Sequence, residues 1–237
     1  MLFAPIFIEI LVQFLHNKGR KIMKKATRKE ITAIKEAFIE RYDEAVTELT
    51  YNNVYELVIA VALSAQCTDK RVNLLTPELF KKYPDVYTLA DAALDDVKVI
   101  LQSCSFFNNK SKNIIKMAQR VTNVYDGEIP LDEKELITLA GVGQKTAHVV
   151  MIEYTGANLM AVDTHVFRVA HRLGLSDDTT ALKTEETLVK KFKTDLHALH
   201  QGMVLFGRYI CTAQNPKCDA ECFLQEFCKT KKSFKAR

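Results

Sequence analysis

Apolar residues recur at helical spacing over most of this 237-residue chain, and no convincing run alternates between apolar and polar residues as a strand would. Residues 31–42 predict an amphipathic helix, and residues 54–65 are so apolar that they predict a helix buried on all sides. Residues 111–125 predict a further helix, closed by Asp126-Gly127. Without repeats, long linkers or low-complexity segments, the pattern predicts an all-α fold with short connections.

Composition narrows the class of protein only slightly. Hydrophobic residues make up 48% and charged residues 26%, as in an ordinary globular protein, and the chain is long enough to bury a core without disulfides. Lys and Arg outnumber Asp and Glu by 33 to 29, a mild excess that permits a nucleic-acid partner without requiring one. The basic residues concentrate at 18–29 and 229–237, which fits either solvated chain ends or DNA-facing charge.

The N-terminal segment is expected to lie outside the fold. Residues 1–15 are largely apolar, but they are too short, and too interrupted by Glu9, for a membrane-spanning helix. They also lack the charged start and the cleavage site of a secretory signal. Because the globular pattern begins at Met23, we expect translation to start there and residues 1–22 to be an extension. We therefore expect a cytoplasmic protein without membrane association, whose six cysteines form no disulfides.

The sharpest local signal is a turn with two glycines. Residues 139–147 read Leu-Ala-Gly-Val-Gly-Gln-Lys-Thr-Ala, which predicts a helix that ends at Ala140 and a second that starts near Gln144. Gly141 and Gly143 allow left-handed backbone and the close approach of a ligand, and the amides at the new helix start favour an anion. The pattern indicates a helix-hairpin-helix that binds a DNA phosphate, although the glycines alone also fit a plain turn between helices.

Two ionisable residues are candidates for covalent chemistry. Lys145 falls in the first turn of the second hairpin helix, where the helix dipole and partial burial disfavour an ammonium and make the neutral amine of a Schiff-base nucleophile more accessible. Asp163 precedes a predicted helix at 164–172, so it is expected to cap that helix and also to stabilise positive charge in a substrate. His165 is expected to make local hydrogen bonds. A surface lysine and a plain helix cap are the alternatives.

Four cysteines lie close together near the C-terminus and predict a metal site. They are Cys211, Cys218, Cys222 and Cys228. Structural zinc sites usually contain two short cysteine pairs, whereas this group has one short pair flanked by longer gaps. Four thiolates can instead hold an iron–sulfur cluster. Cys67 and Cys104 lie in apolar surroundings and are predicted to be core residues.

From about Lys25 to Cys228 the chain resembles the endonuclease III family of DNA glycosylases. The motifs that follow family order are Leu63-Ser64-Ala65-Gln66 with Asp69, Phe107-Asn108, the hairpin with Lys145, Val162-Asp163-Thr164-His165, and Gly207-Arg208-Tyr209 before Cys211. The resemblance implies a two-domain all-α fold with a DNA-binding cleft between the domains. Residues 47–157 would form a six-helix domain with the helix-hairpin-helix at 132–154. Residues 23–46 and 158–237 would together form an iron–sulfur cluster domain.

The resemblance also implies a bifunctional DNA N-glycosylase and AP lyase of base excision repair. Its substrate would be double-stranded DNA with oxidised pyrimidines or abasic sites, and it would act as a monomer. Lys145 would form a Schiff base at C1′ of a flipped nucleotide, Asp163 would stabilise the cationic sugar, and β-elimination would cut the strand on the 3′ side. The residues implied to contact DNA are Gln66, which would fill the vacated space, Phe106, which would act as a wedge, and Gly141, Gly143, Gln144, Thr146 and His165.

The four cysteines would hold a four-iron, four-sulfur cluster that positions the loop at residues 212–217 on DNA, together with the basic tail after Cys228. Two positions depart from the family pattern. Three residues separate Cys218 from Cys222 where relatives have two, and we expect the loop to absorb the extra residue as a bulge. Ala140 replaces a proline that is common before the hairpin, which loosens the turn without removing its amides.

Two other functions are kept open. An adenine-mismatch glycosylase would share the fold, but it normally lacks the lysine found at Lys145 and carries an additional domain beyond the position of Cys228. A non-catalytic DNA-binding protein with a structural zinc is the alternative from another class.

Overall fold

The computed structural model describes residues 24–218 and 221–230, and in this part of the chain the regular secondary structure is entirely helical. The helices are α1 (Arg28–Tyr42), α2 (Val54–Ser64), α3 (Asp69–Lys82), α4 (Val86–Ala90), α5 (Leu94–Leu101), α6 (Phe107–Val124), α7 (Glu133–Leu136), α8 (Gln144–Thr155), α9 (Thr164–Arg172), α10 (Ala181–Phe192) and α11 (Leu196–Tyr209), followed by a 3₁₀ turn, Gln225–Phe227. The all-α prediction is confirmed. The predicted extension at residues 1–22 and the predicted start at Met23 lie outside the described residues. Among the described helices, none has the length and apolar character needed to cross a membrane.

Local capping chemistry sets several helix starts. Thr27 and Glu30 form a capping box at the start of α1, which therefore begins three residues before the predicted position. Thr68, a residue type favoured at helix N-caps, caps α3 through the amide of Arg71. The prediction of a buried helix at residues 54–65 is confirmed, since eight of the eleven residues of α2 are buried. Helix α6 begins at Phe107, four residues earlier than predicted, directly after Phe106 in left-handed backbone.

The predicted end of the first hairpin helix is wrong. Helix α7 ends at Leu136 and not at Ala140. The chain then continues in tight turns, in which the amide of Leu139 bonds to the carbonyl of Leu136 and the amide of Val142 bonds to the carbonyl of Leu139. Local turn bonds replace the helical ladder over this stretch, while the second helix begins at Gln144 as expected.

Two hydrophobic cores organise the described chain. The first contains buried residues between Leu49 and Val150, with α2 among its most buried elements. The second combines residues of α1 with residues between Met160 and Leu224. The first stretch includes six helices of five or more residues together with the single turn of α7. The domain division, with residues 47–157 in one domain and residues 23–46 and 158–237 in the other, stays a prediction.

Polar contacts join the helices of the two cores. Arg208, at the end of α11, forms ion pairs with Asp69, at 2.7 Å, and with Glu48. Gln201 of α11 donates to Glu153 of α8, whose carboxylate also accepts from the amide of Thr47. Arg208 and Gln201 of α11 therefore bind residues near both ends of the chain segment that forms the first core.

Candidate functional site

A broad cleft lies where the end of α2 and the starts of α3, α8 and α9 approach the end of α11. Lys145 and Asp163, the two candidates for catalysis, both line this cleft. Gln66 and His165 line it as well. Four residues from three separate motifs are therefore brought to one surface. Phe106, Gly141, Gly143, Gln144 and Thr146 lie outside its lining.

Lys145 opens onto the cleft from the first turn of α8. The expectation of partial burial is wrong, because this side chain is exposed. The helix begins at the surface of the cleft, and the preceding Gly143 has no side chain to cap it. The first-turn amides are therefore left without a side-chain acceptor, which makes this helix start suitable for an anion.

Gly141 and Gly143 occupy their positions in the hairpin for different structural reasons. Gly141 has φ of +85°, and a β-carbon there would approach within 3.1 Å of the β-carbon of Asn113. Gly143 has ordinary backbone, and a β-carbon there would meet no atom within 4 Å. Gly141 is needed by the turn itself, whereas Gly143 leaves open space in front of the helix. Gln144 is exposed and Thr146 is half-buried beside that space.

Asp163 is the N-cap of α9, as predicted. Its Oδ1 accepts from the amides of His165 and Val166, each at 2.8 Å. Among the described residues, Oδ2 has no hydrogen-bond partner, so the carboxylate is fixed by one oxygen while the other remains available to the cleft. The side chain of His165 contacts Arg168, with 3.1 Å between Nδ1 and Nη2, and this agrees with the local role expected for the histidine.

His200 is a neighbour of the catalytic candidates that sequence reasoning missed. It lies in α11 and is almost fully buried. Burial, with a smaller contribution from the charge of Lys145, lowers the pKa of His200 to about 4 against the opposing field of Asp163. A neutral imidazole therefore lies within the electrostatic reach of both groups. Nothing in the local sequence signals this, because the surroundings of His200 come from other helices.

Gln66 and Phe106 share an uncommon backbone conformation. Their φ angles are +57° and +59°, in the left-handed region that side chains with a β-carbon seldom adopt. Phe106 is 62% exposed, and Gln66 is also exposed. Residues with such strained backbone are held in place by the surrounding structure and are common at functional sites.

The C-terminal cysteines fit an iron–sulfur site. Cys211, Cys218, Cys222 and Cys228 border one small cavity that also has apolar walls. Burial raises the pKa of the Cys222 thiol, and the other three cysteines raise it further, so a set of thiolates here requires a cationic group between them. Among the described residues, no three His, Cys, Asp or Glu side chains are gathered as ligands of a single metal ion. A cavity bordered by four cysteines suits a group that takes four thiolate ligands.

Arginines surround the first of these cysteines. Arg172 Nη1 lies 3.2 Å from Cys211 Sγ and 3.0 Å from the carbonyl oxygen of the same residue. Arg168 Nε donates to that carbonyl oxygen at 2.8 Å. The predicted bulge between Cys218 and Cys222 involves Asp219 and Ala220, which lie outside the described residues.

The expected roles of the basic residues near the cysteine group and of Cys67 need correction. The side chain of Lys229 is buried and pairs with Glu30 at 2.5 Å, so the ammonium of this first lysine of the tail is occupied by a carboxylate of the protein. Lys217 pairs with Glu221 at 3.1 Å. Cys104 is a core residue as predicted, but Cys67 is only partly buried, since it packs against the first core and also lines the cleft.

Comparison with known proteins agrees with this geometry. The family described as HhH-GPD superfamily base excision DNA repair protein matches residues 59–194, and the iron-sulfur binding domain of endonuclease III matches residues 211–228. Endonuclease III of Bacillus subtilis (strain 168) is 43% identical over 192 residues, which are 80% of this chain and 87% of that protein. Endonuclease III of Escherichia coli (strain K12) is 36% identical, with 88% and 98% covered.

Solved structures give the same result. A trapped endonuclease III–DNA covalent intermediate and a non-covalent endonuclease III–DNA complex each match with a TM-score of 0.83 and 39% identity, over 88% of this chain and 98% of theirs. A thermostable thymine-DNA glycosylase, at 22% identity and a TM-score of 0.73, shares the fold.

The fold and the cleft are those of a helix-hairpin-helix base excision repair protein. Within that class, the chain belongs to the endonuclease III family. It is a DNA glycosylase and AP lyase, and its cofactor is a four-iron, four-sulfur cluster. The predictions of family, fold, enzyme class and cofactor are confirmed.

Proposed function

We propose that Lys145 and Asp163 carry the reaction and that the substrate is double-stranded DNA with an oxidised pyrimidine or an abasic site. The observation that supports this most directly is that an exposed lysine amine and a carboxylate fixed by helix capping line the same cleft. An amine can bond covalently to the sugar, and a nearby carboxylate stabilises the positive charge that develops as the base departs.

The reaction begins when the neutral amine of Lys145 attacks C1′ and the damaged base leaves with the electron pair of the glycosidic bond. Asp163 accepts a proton from the lysine nitrogen and returns it to O4′ as the C1′–O4′ bond breaks, which leaves an iminium between Nζ and C1′ of the opened sugar. Loss of a proton from C2′ then expels the 3′ phosphate by β-elimination. Water hydrolyses the imine and returns the free lysine. The available oxygen of Asp163 suits both charge stabilisation and proton transfer.

The helix-hairpin-helix would hold the DNA backbone. The open space in front of Gly143 and the uncapped amides of α8 support phosphate binding by Gly141, Gly143, Gln144 and Thr146. Gln66 and His165 lie in the cleft, where the flipped nucleotide would enter, and the exposed Phe106 suits a wedge beside it. The related endonuclease III that was trapped as a covalent intermediate with DNA supports a covalent intermediate here.

Cys211, Cys218, Cys222 and Cys228 would hold the cluster, whose contribution is structural: when bound, it fixes the C-terminal segment against α9 and α11. We infer that the protein acts as a monomer in the cytoplasm, where chromosomal DNA is the substrate.

Borohydride trapping tests the assignment of the nucleophile. Reduction of the Schiff base on duplex DNA with thymine glycol or an abasic site should give a covalent adduct with the native protein and none with Lys145→Ala. Lys70→Ala is the matched control, because Lys70 is an exposed amine that lines the same cleft. An undiminished adduct in Lys145→Ala would overturn the assignment. Excision of adenine from a mismatch without trapping would favour the adenine-mismatch alternative.

A further inference from the structure

Lys110 joins the two segments that carry Gln66 and Phe106. It lies in the first turn of α6, and its side chain is partly buried. Its Nζ donates to the carbonyl oxygen of Leu63 at 2.8 Å, to that of Ala65 at 2.7 Å, and to Cys104 Sγ at 3.3 Å. One ammonium therefore bonds to the chain on both sides of the gap between these segments.

These bonds use the full hydrogen-bonding capacity of the side chain. An ammonium has three N–H groups, and Lys110 has three acceptors within bonding distance. The carbonyls of Leu63 and Ala65 lie at the C-terminal end of α2, where helix carbonyls lack partners and a positive charge is favoured. Lys110 is thus occupied by protein acceptors and has no hydrogen left for a DNA phosphate.

The anchored groups are immediate neighbours of the two strained residues. Ala65 directly precedes Gln66, and Cys104 lies two positions before Phe106. The backbone amide of Lys110 also bonds to the carbonyl oxygen of Phe106, at 3.1 Å. Left-handed backbone at non-glycine residues persists only where the surrounding structure holds it. The contacts of Lys110 supply such support to both segments at once.

We propose that Lys110 is a positioning residue that fixes the spacing of Gln66 and Phe106, so that both side chains enter the duplex together during extrusion of the base. This rests on the proposed function, in which Gln66 fills the vacated space and Phe106 wedges beside it. Removal of the ammonium frees the end of α2 from the turn before α6, and the two side chains then enter the DNA independently.

The test compares Lys110→Met with Lys116→Met, which removes the same charge from an exposed position of the same helix. Base extrusion is followed by the fluorescence of 2-aminopurine next to a thymine glycol in a duplex. Lys110→Met should lower extrusion and kcat/KM on this duplex roughly tenfold, the scale of a lost hydrogen bond to a charged group. Lys116→Met should change neither.

A single-stranded abasic substrate separates this proposal from the proposed function, because no base has to be extruded from it. Lys110→Met should form the borohydride adduct with that substrate at the native rate. If the assignment of Lys145 is wrong, Lys145→Ala will still form the adduct.

The salt dependence of DNA binding gives a second readout. A phosphate contact would reduce the slope by about one on substitution, whereas a positioning role leaves the slope unchanged.

Three results would overturn the proposal. They are a reduced salt slope in Lys110→Met, full duplex activity in Lys110→Arg, and additive effects of Lys110→Met and Phe106→Ala. A residue that acts through Phe106 must lose most of its effect once Phe106 is gone, and the double-mutant cycle measures this coupling. Lys110→Arg also keeps the charge at this position, so the test remains decisive if Lys110→Met folds poorly.

Discussion

Asp163 combines two roles in one carboxylate. Oδ1 is engaged by the amides of His165 and Val166, which fixes the side chain at the start of α9, while Oδ2 has no partner among the described residues. A side chain fixed in this way loses little freedom when positive charge develops nearby, which is the condition for electrostatic catalysis. The two roles can be separated, because an amide also caps a helix but carries no charge.

Asp163→Asn should therefore fold normally and turn over poorly. We expect the free energy of unfolding to change by less than about 1 kcal/mol, since Asn is as good an N-cap as Asp. Excision should fall about 100-fold or more through loss of the charge, with DNA binding retained. Urea denaturation and single-turnover kinetics measure the two effects.

The matched control is Asp85→Asn, which makes the same change at the exposed N-cap of α4, outside the cleft. It should leave turnover intact. Full activity of Asp163→Asn would remove this carboxylate from the mechanism, and its failure to fold would mean that capping by the charged form dominates.

At the scale of elements, the hairpin assigns different tasks to two glycines that look alike in sequence. Gly141 supports the turn through its positive φ, whereas Gly143 keeps the start of α8 open. Substitution by alanine should therefore have opposite consequences for stability and binding at the two positions.

Gly143→Ala should leave the free energy of unfolding within about 0.5 kcal/mol of the native value, because the new methyl group meets open space. DNA affinity should fall roughly tenfold, as expected when one hydrogen bond to a phosphate is obstructed. Gly141→Ala should instead destabilise the fold by about 1 kcal/mol or more through backbone strain. Unchanged affinity of Gly143→Ala, measured by fluorescence anisotropy at fixed salt, would exclude the hairpin as the phosphate site.

At the scale of the whole molecule, a buried histidine links the hairpin to the second core. His148 of α8 lies 3.0 Å from Glu185 of α10 through Nδ1 and 3.2 Å from Glu133 of α7 through Nε2. The hydrogen bond with Glu185, with the charges of both glutamates, raises the pKa of His148 to about 9 against the opposing effect of burial. The imidazolium therefore persists at neutral pH and holds three helices together.

This contribution should disappear in alkali. Because the folded pKa lies above the unfolded value, the stabilisation is complete below pH of about 6.5 and is lost as pH rises through about 9. From pH 6.5 to 9.5 the native protein should lose on the order of 1–2 kcal/mol more unfolding free energy than His148→Gln. Urea denaturation across this range measures the difference. His197→Gln, at an exposed position of α11, is the control and should follow the native curve. Parallel curves for His148→Gln and the native protein would contradict the link.

The sequence alone determined the features that depend on near neighbours. Helical periodicity specified an all-α chain, and capping by Asp163 was predictable because such hydrogen bonds reach only two or three residues along the chain. The hairpin, the lysine that follows it and the cysteine group were also visible as local patterns. The extent of α7 was misjudged, because turn bonds compete closely with the helical ladder there.

Only the tertiary structure decided which distant residues meet. The contact of His148 with Glu185 of α10, the hydrogen bond of Lys110 to the end of α2, and the ion pair of Arg208 with Asp69 all join residues far apart in the chain. Burial and charge act through space, so the pKa of His200 and the exposure of Lys145 follow from packing and carry no local signature. Sequence identified the reacting groups, and the packing of two cores placed them in one cleft.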